Sequence, residues 1–503
     1  MSSKRELNPG VGWDLFMNDF LYGLTGDIVT PFEPVYNEAR QGFNRAIQQF
    51  PLIIVYCCSK CDVSNAVLWA RGHCIPIRIR SGGHNYEGYS NGDCTLVIDI
   101  SRMNHMVLNE CLGQLTIQGG ATNELVYEFV TLKGYPFPGG TCPSVGVSGY
   151  TLGGGWGLSC RRFGLGCDSL VEIELVNYEG EIITANGEKH ADLFWACQGA
   201  GGGNFGVIVS MTFNLPPKVK NVTLIEIDYL HVDSKEQETF LSIWQEWLKK
   251  ADPRTTLISR IYHSVDDELA MLVRGIFYGN EQEAKEIVEP FLALKGAEYN
   301  IEYMTFFEAV TIIGSSYPSY ERFQSVSRFV LEDFTSAEII QVVDLMKDRP
   351  KGSVFAGISM YALGGRVAEV GTDDTSFYYR NANYIIWLET IWEEPIYGAD
   401  NREWINSGFS YLERITTGSY VNFPYGRLSD YLEEYYGKHV NALKKIKNKY
   451  DPCDIFSFPQ SIGSLRGNNK NESYCYKMPQ DQTAGRKEQP PGGNHRGFRY
   501  VVK

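Results

Sequence analysis

Two glycine-rich stretches in the first third of the chain each carry one side chain able to act as a nucleophile. Residues 78–88 contain His84, and residues 139–157 contain Cys142. Glycine permits positive φ and close approach of the backbone to a ligand, so the N–H groups of such stretches can line an anion-binding concavity. We therefore expect the two stretches to hold one bound group between them.

Both side chains also have a structural interpretation. His84 alone is typical of a loop histidine with satisfied hydrogen bonds, and Cys142 alone is typical of a buried thiol. Their positions favour function, because His84 lies among glycines directly after a predicted strand, and Pro143 holds Cys142 on a tight turn.

A third glycine stretch, Gly201–Gly206, has the spacing of a dinucleotide-binding fingerprint. That fingerprint requires a helix after the glycines, whereas the β-branched run over 207–213 predicts a strand. A turn is expected here, either purely structural or close to a ligand.

Cys57–Cys61 contains a CxxC without a second pair at zinc spacing, so no metal site is predicted. HExxH, Walker and GxSxG motifs are absent from the sequence, which disfavours proteolysis, phosphoryl transfer and common ester hydrolysis.

Composition narrows the class of protein. The 503 residues carry a formal net charge of −14, which disfavours nucleic acid or an anionic membrane surface as a partner. Hydrophobic residues at 43% and charged residues at 21% are typical of a soluble globular protein. The first residues lack the apolar segment of a signal peptide, which predicts a cytoplasmic protein with its twelve cysteines as thiols.

The order of elements predicts a mixed α+β fold. Short helices and strands alternate over residues 1–216, as in a layered domain. After Pro216 and Pro217 longer strands alternate with amphipathic helices, which predicts an antiparallel sheet covered by helices over 217–420. A helix is predicted over 431–450, and the polar residues 466–503 are expected to form a mobile tail.

Taken together, these motifs resemble the berberine bridge enzyme-like flavin oxidases, a branch of the vanillyl-alcohol oxidase superfamily. The family's RSGGHxYEG motif is matched over Arg80–Gly88, and its GxCxxVGxxG and GGGxG motifs are matched over Gly140–Gly157. The GGGNFG turn at Gly201–Gly206 is matched as well. Further matches lie at Tyr420–Asn422, Tyr435–Gly437 and 449–462, so that the resemblance spans residues 30–462.

The resemblance implies a PCMH-type FAD-binding domain in two parts, residues 1–216 and 421–465, around a substrate domain over 217–420. His84 matches the histidine bonded to the flavin 8α-methyl, and Cys142 matches the cysteine bonded to flavin C6. A bicovalent FAD is therefore implied. Further residues implied to contact FAD are Arg80, Ser81, Gly82, Gly83, Asn85, Gly88, Gly146, Val147, Gly149, Gly154, Gly157, Val207, Ile208 and Asn422.

The resemblance also implies which residues take part in the reaction. Val145 matches the position that controls access of O2 to flavin C4a, and valine there goes with oxidases that make H2O2. Asp374 matches a catalytic carboxylate six residues before an arginine, although a solvated turn acid is the alternative interpretation. The family commonly has tyrosine after the Asn of its Tyr-x-Asn motif, and Phe423 stands there in this chain. Tyr420 and Tyr378 are the remaining candidates for a tyrosine in the proton transfer.

The implied reaction is oxidation of an alcohol by hydride transfer to flavin N5, with O2 as the acceptor. A sugar C1 hydroxyl converted to the lactone is the expected substrate, and the aromatic content of 13% suits a site that stacks on rings. Two alternatives remain open at this point. One is an oxidase that tailors a secondary metabolite, for instance by closing a ring, and the other is a flavin-bearing protein that binds without turnover.

Overall fold

The computed structural model describes residues 20–463 of the chain. Residues 1–19 and 464–503 lie outside the described residues, and the tail predicted over 466–503 lies there too. The described part contains three β-sheets and the helices packed on them, all within one compact unit. The domain boundaries near residues 216 and 420 therefore stay a prediction.

The first sheet carries the first glycine stretch at the end of one strand. Its strands lie in the order β1-β2-β4-β3 and are Asp27–Val29 (β1), Ile53–Tyr56 (β2), Ile77–Arg80 (β3) and Leu96–Asp99 (β4). β4 runs parallel to both β2 and β3. Ligands of α/β sheets bind beyond the carboxyl ends of parallel strands, and the glycine stretch continues from Arg80 at such an end.

Short helices connect the strands of the N-terminal part. They are Tyr36–Ala39 (α1), Lys60–Gly72 (α2), Asn123–Thr131 (α3), Val147–Leu152 (α4), Cys160–Phe163 (α5) and Ala191–Ala196 (α6). Ser59 caps the N-terminus of the longest of these helices, α2, and its hydroxyl accepts the N–H of Asp62. Val63 and Val67 on its apolar side are fully buried against the first sheet.

The second sheet places the third glycine stretch. It has the order β5-β6-β9-β7-β8, and its antiparallel strands are Met106–Asn109 (β5), Gln114–Gln118 (β6), Leu170–Val176 (β7), Ile182–Asn186 (β8) and Val207–Asn214 (β9). β9 follows Gly206 directly, so the strand predicted over 207–213 is confirmed. A helix does not start there, and a dinucleotide fingerprint is excluded as expected.

The third sheet is antiparallel throughout and has the order β13-β10-β12-β11-β15-β16-β14. Its strands are Asn221–Tyr229 (β10), Thr255–Ser264 (β11), Glu268–Phe277 (β12), Glu298–Thr305 (β13), Phe323–Val330 (β14), Ser353–Ala362 (β15) and Tyr384–Trp392 (β16). Along each of the seven strands, successive side chains point to opposite faces of the sheet.

Helices cover one face of the third sheet. The helices of this part are Ser234–Leu248 (α7), Glu281–Ile287 (α8), Glu289–Leu292 (α9), Phe306–Gly314 (α10), Ser336–Asp344 (α11), Arg366–Glu369 (α12) and Gly398–Ile415 (α13). Trp244 of α7 meets Tyr384 edge to face at 6.1 Å, and Gly408 of α13 packs on Leu388. Tyr384 and Leu388 lie on the same face of β16, so the predicted antiparallel sheet covered by helices is confirmed.

The helix predicted over 431–450 is interrupted. The structure has Tyr431–Tyr436 (α14), a 3-10 turn at Gly437–His439 and Val440–Tyr450 (α15). Gly437 takes φ of +50°, and a Cβ there would lie 2.3 Å from the ring of Tyr378. The apolar stripe continues through this point in the sequence, but close packing of Tyr378 on the glycine backbone requires the break.

Lys447 of α15 fastens the C-terminal segment to the rest of the fold. Its ammonium is fully buried and donates to the Asn204 carbonyl, the Asp451 carboxylate and the Phe456 carbonyl, each at 2.7 Å. The Asn204 side chain in turn accepts the N–H of Ile462 at 2.9 Å. All three ammonium protons are thus used, and the GGGNFG turn is bonded to the C-terminal segment.

Ten of the eleven cysteines in the described part are free thiols, while Cys453 is disulfide-bonded. The expectation of thiols throughout is therefore wrong for Cys453. Within residues 20–463 no helix is both long enough and apolar enough to cross a bilayer.

Candidate active site

The three glycine stretches meet at one cleft. The cleft is bounded by these stretches, by the face of the third sheet that helices do not cover, and by the C-terminal segment. From the sheet come Tyr361 and Trp387, and from the C-terminal segment come residues 420–424. Parts of the chain more than 300 residues apart therefore build one site, as the sequence motifs predict.

The first two glycine stretches touch through their backbones. A Cβ on Gly82 would lie 2.4 Å from the amide nitrogen of Gly146 and 2.8 Å from the carbonyl oxygen of Ser144. A Cβ on Gly146 would lie 2.4 Å from the Ser81 hydroxyl oxygen. Glycine is therefore required on both sides of this contact, which brings His84 and Cys142 to one wall of the cleft.

Ser144 lies between the two candidate nucleophiles. Its Oγ is 2.9 Å from Nε2 of His84 and 3.7 Å from Sγ of Cys142. The Phe43 ring stacks on the imidazole at 4.3 Å. Burial lowers the pKa of His84 to about 4, so the imidazole is neutral near pH 7 and retains a lone pair for bonding.

The thiol of Cys142 has a raised pKa. Burial is the main cause, and a hydrogen bond from Ser144 and backbone N–H groups act in the opposite direction. Because the thiolate is the nucleophilic form, the groups around Ser144 favour reaction at this sulfur.

The structure brings most of the predicted FAD contacts to the cleft wall. These are His84, Cys142, Ser81, Gly82, Gly83, Asn85, Gly146, Gly149, Ile208 and Asn422. Val145 lines the cleft beside Cys142. Nothing lies within 4 Å of the position that a Cβ on Gly149 would take, so the missing side chain leaves room for a bound group.

Six of the residues predicted to contact FAD are not among those that line the cleft, and their contact with FAD stays a prediction. Val147 and Val207 are fully buried core residues. Gly88, Gly154 and Gly157 are required by neighbours, since a Cβ there would meet the Ile47 side chain, the Phe377 ring and the Gly139 carbonyl respectively. Arg80 is turned away from the cleft and pairs with buried Asp99 at 2.5 Å.

Asp374 is not in the cleft. It is exposed, and its carboxylate accepts the N–H of Gly371 at 2.9 Å within its own turn. The chain turns inward only after it, where buried Arg380 pairs with Asp168 at 2.7 Å. A side chain held outside cannot take a proton from a substrate in the cleft, so the assignment of Asp374 as the base is corrected.

Neither tyrosine candidate offers a free hydroxyl to the cleft. Tyr378 packs on His439 and Gly437 outside the cleft. Tyr420 lines the cleft, but its oxygen accepts the N–H groups of Gly155 and Trp156 at 3.0 and 3.1 Å and the Asn422 amide at 3.0 Å. Burial raises the pKa of Tyr420 to about 12 against these hydrogen bonds, so it stays a neutral phenol. We correct both assignments: the structure makes Tyr420 an anchor of the second glycine stretch.

The sheet contributes an aromatic surface. Tyr86, which follows His84 by two residues, stacks on Phe423 at 5.4 Å and on Trp387 at 5.8 Å. Phe423 and Trp387 lie 5.3 Å apart, and Tyr361 is 5.5 Å from Phe423. These rings, whose planes are tilted by 12° to 58° relative to one another, form an apolar platform in the cleft wall that suits a sugar or an aromatic ring.

Glu389 is a buried carboxyl beside this platform, although it is not among the residues that line the cleft, and it was not predicted from the sequence. It lies two residues after Trp387 on β16, so both side chains leave the strand on the same face. Thr390 faces the opposite way and bonds Asn401 of α13. Arg260 pairs with Glu389 at 3.3 Å and donates to Ser359 at 2.7 Å.

Burial raises the pKa of Glu389 to about 8, with Arg260 lowering it and Glu321 raising it further. A carboxyl with a pKa near neutrality is suited to general base work. The signal in the sequence is a single charged residue inside the apolar run 384–392, because a carboxyl in a buried strand requires a partner or a function.

Two family models and a curated relative match the chain. The family model for an FAD binding domain matches residues 51–186, and that for berberine and berberine-like proteins matches residues 419–463. The FAD-linked oxidoreductase YgaK of Bacillus subtilis is 37% identical over 451 residues, which is 88% of this chain and 98% of that protein.

Solved structures share the fold. BBE-like 1 of Physcomitrella patens has a TM-score of 0.82 at 25% identity, covering 89% of this chain and 99% of the other. Glucooligosaccharide oxidase of Acremonium strictum, described with a 6-S-cysteinyl, 8α-N1-histidyl FAD, has a TM-score of 0.79 at 22% identity, covering 87% and 96%.

The fold, the glycine-lined cleft and these matches define an FAD-linked oxidoreductase. The chain belongs to the berberine bridge enzyme-like family of FAD-linked oxidases.

Proposed function

We propose that the chain is an alcohol oxidase whose FAD is bonded both to His84 and to Cys142, and which converts a sugar C1 hydroxyl to the lactone while O2 becomes H2O2. The observation that carries the proposal is the shared wall on which both residues flank Ser144. The bicovalent flavin named for the Acremonium oxidase supports it.

Residues of the glycine stretches would hold the FAD. Ser81–Gly83 and Asn85 offer backbone and side-chain groups to its pyrophosphate, and Gly149 leaves room for close approach. When bound, the flavin supplies the hydride acceptor. The chain contributes the platform of Tyr86, Trp387 and Phe423, on which the substrate ring stacks and which excludes water from one face.

Glu389 takes the place that Asp374 held in the sequence analysis. As a carboxylate it accepts the proton of the substrate hydroxyl while hydride departs. Arg260 stabilises the negative charge of this carboxylate before the proton is transferred. Phe423 has no ionisable group, and the Tyr420 oxygen is held by three N–H donors. Glu389 lies behind the cleft lining, next to Trp387, so the proposal requires that the substrate hydroxyl reach it past that ring.

Val145 supports the choice of O2 as the final acceptor. It lines the cleft next to Cys142 and accepts the N–H of Asn123 at 3.0 Å through its carbonyl, which fixes its position. A valine leaves more room than a leucine for a diatomic molecule at this point of the wall.

The test is a screen for H2O2 production with mono- and oligosaccharides, and with aromatic alcohols as the comparison. We expect H2O2 from at least one aldose with a free C1 hydroxyl and an equal amount of lactone. H2O2 from aromatic alcohols alone would replace the sugar assignment with a tailoring oxidase. Failure of all substrates, with an artificially reduced flavin that reoxidises slowly in air, would overturn the oxidase proposal.

A further inference from the structure

Ser144 is bonded to both candidate attachment residues at once. Its hydroxyl oxygen lies 2.9 Å from Nε2 of His84 and 3.7 Å from Sγ of Cys142. A hydroxyl has one proton to donate and two lone pairs to accept with, so it can accept from one neighbour while donating to the other.

We propose that Ser144 is a positioning residue for covalent attachment of the flavin. It accepts Nε2–H of His84, which keeps the lone pair on Nδ1, and it donates its own proton to Sγ of Cys142. The inference rests on the bicovalent linkage proposed above and assigns the residue that prepares both nucleophiles.

The hydrogen bond to Ser144 decides which ring nitrogen of His84 keeps its lone pair. Neutral imidazole has one N–H, and a hydrogen bond at one nitrogen decides which nitrogen keeps the lone pair. Within residues 20–463, Nε2 of His84 is the ring nitrogen with a hydrogen bond, and stacking on Phe43 at 4.3 Å holds the ring plane. Nδ1 is therefore the free nucleophile, which agrees with the N1-histidyl bond named for the Acremonium oxidase.

The reactivity of the Cys142 sulfur also depends on Ser144. Burial raises the pKa of Cys142, and Glu321 adds to the rise, so the thiolate is scarce near pH 7. The Ser144 hydroxyl and the N–H groups of Ser144 and Val145 act against this rise. Removal of the hydroxyl takes away one of the groups that stabilise the attacking form.

Formation of the bond between His84 and the flavin releases two protons and leaves two electrons on the flavin. Nδ1 bonds to the 8α carbon, that carbon loses one proton, and the proton on Nε2 departs through the Ser144 hydroxyl. Two electrons remain on the flavin, and O2, the acceptor of the proposed reaction, removes them with two protons as H2O2. Nε2 then has a lone pair and no proton, so the hydrogen bond reverses and Ser144 donates to it. The cysteinyl bond likewise exchanges S–H and C6–H for S–C6 and leaves two electrons for O2.

The test compares Ser144→Ala with Ser144→Thr, which keeps a hydroxyl, and with Ser242→Ala on the exposed side of α7 as a matched control. Each full-length protein is purified with its flavin, denatured in acid and digested, and the flavin bonded to the His84 and Cys142 peptides is quantified by mass spectrometry. We expect Ser144→Ala to lower the occupancy of both bonds about tenfold at equal times near pH 7. Ser144→Thr and Ser242→Ala should match the wild type.

A pH series separates this role from a merely structural one. Incubation of Ser144→Ala with FAD at higher pH should restore the cysteinyl bond, because base replaces the lost stabilisation of the thiolate. Wild-type occupancy of both bonds in Ser144→Ala at pH 7 would overturn the inference. If Ser144→Ala does not fold, a folded Ser144→Thr that lacks the bonds would overturn it as well. A wild-type protein without either bond would instead refute the bicovalent linkage itself.

Discussion

Gly82 and Gly146 lie backbone against backbone although they are 64 positions apart (146 minus 82). A Cβ on Gly82 would approach the Gly146 nitrogen to 2.4 Å, closer than side-chain carbons come to any atom in folded proteins. This contact joins a loop of the first sheet to the turn that carries Cys142. The shared wall for the flavin depends on it.

Replacement of Gly82 by alanine should destabilise the protein. The added methyl meets backbone atoms of Ser144 and Gly146, which have no flexible end that can move, so we expect a loss of about 3 kcal/mol or more in the free energy of unfolding. Urea unfolding followed by fluorescence measures this. Gly187→Ala is the matched control, because nothing lies within 4 Å of the added methyl there. An unfolding midpoint for Gly82→Ala equal to that of Gly187→Ala would show that the two stretches do not touch as described.

Glu389→Gln should remove the pH dependence of substrate oxidation. In the wild type the base must be ionised, so the anaerobic rate of flavin reduction by substrate should rise with pH through about 8, the raised pKa of Glu389. Glutamine cannot accept the proton, and the rate should fall about 10²- to 10⁴-fold and lose this rise. Asp374→Asn, a change in the exposed turn, should leave both the rate and its pH profile intact. The reverse pattern of the two variants would restore Asp374 as the base.

The same raised pKa has a consequence for stability. Glu389 binds its proton more tightly in the folded state than its ordinary pKa of 4.5 allows, so its contribution favours folding at low pH and weakens as pH rises from 4.5 to about 8. Glutamine has no such proton. The difference in unfolding free energy between Glu389→Gln and the wild type should therefore shift in favour of the variant from pH 5 to pH 8, and a difference independent of pH would argue against a buried ionisable Glu389.

Val145→Leu should slow the reaction with O2 and leave reduction by substrate unchanged. The extra methylene fills space at the cleft wall beside Cys142, where the side chain is half-buried. We expect reoxidation of the reduced flavin to slow about tenfold, which equals about 1.4 kcal/mol in the barrier. Stopped-flow mixing of reduced enzyme with oxygenated buffer measures it, and Val145→Ala serves as the control that enlarges the same space. Equal reoxidation rates in all three proteins would remove Val145 from the path of O2.

Lys447→Met should destabilise the fold through a charge left without its partner. Asp451 is fully buried and loses the ammonium that neutralises it, which costs about 3–5 kcal/mol in the free energy of unfolding. Lys235→Met breaks an exposed pair with Glu238 and should cost less than about 1 kcal/mol. Urea unfolding of both variants gives the comparison, and similar costs would mean that the C-terminal segment is not fastened by Lys447.

The sequence predicted those features that depend on local rules or on long motifs. The glycine stretches, the strand after Gly206 and the antiparallel sheet all follow from residue types and spacing, and the structure has them. The break at Gly437 was not predicted, because it depends on the ring of Tyr378, which approaches from 59 positions away in the chain (437 minus 378). Tertiary contacts of this kind leave no pattern in the helix itself.

For the candidate base too, residue spacing in the sequence did not predict which carboxyl is buried. Asp374 has the right spacing to Arg380, yet the chain turns inward only after it, and spacing carries no information on which side of a turn is buried. Glu389 belongs to none of the matched motifs, but its position is a physical signal, since a carboxyl inside the apolar strand 384–392 must be paired or used. Its partner Arg260 lies two strands away and becomes visible only in the folded sheet.

The central claim is that one flavin is bonded to both His84 and Cys142, and mass measurement of the denatured chain tests it most directly. We expect one FAD to stay on the wild-type protein after acid precipitation, and on His84→Ala and Cys142→Ala through the one remaining bond of each. The double variant should release it completely. Quantitative release of FAD from the denatured wild-type protein would contradict the account.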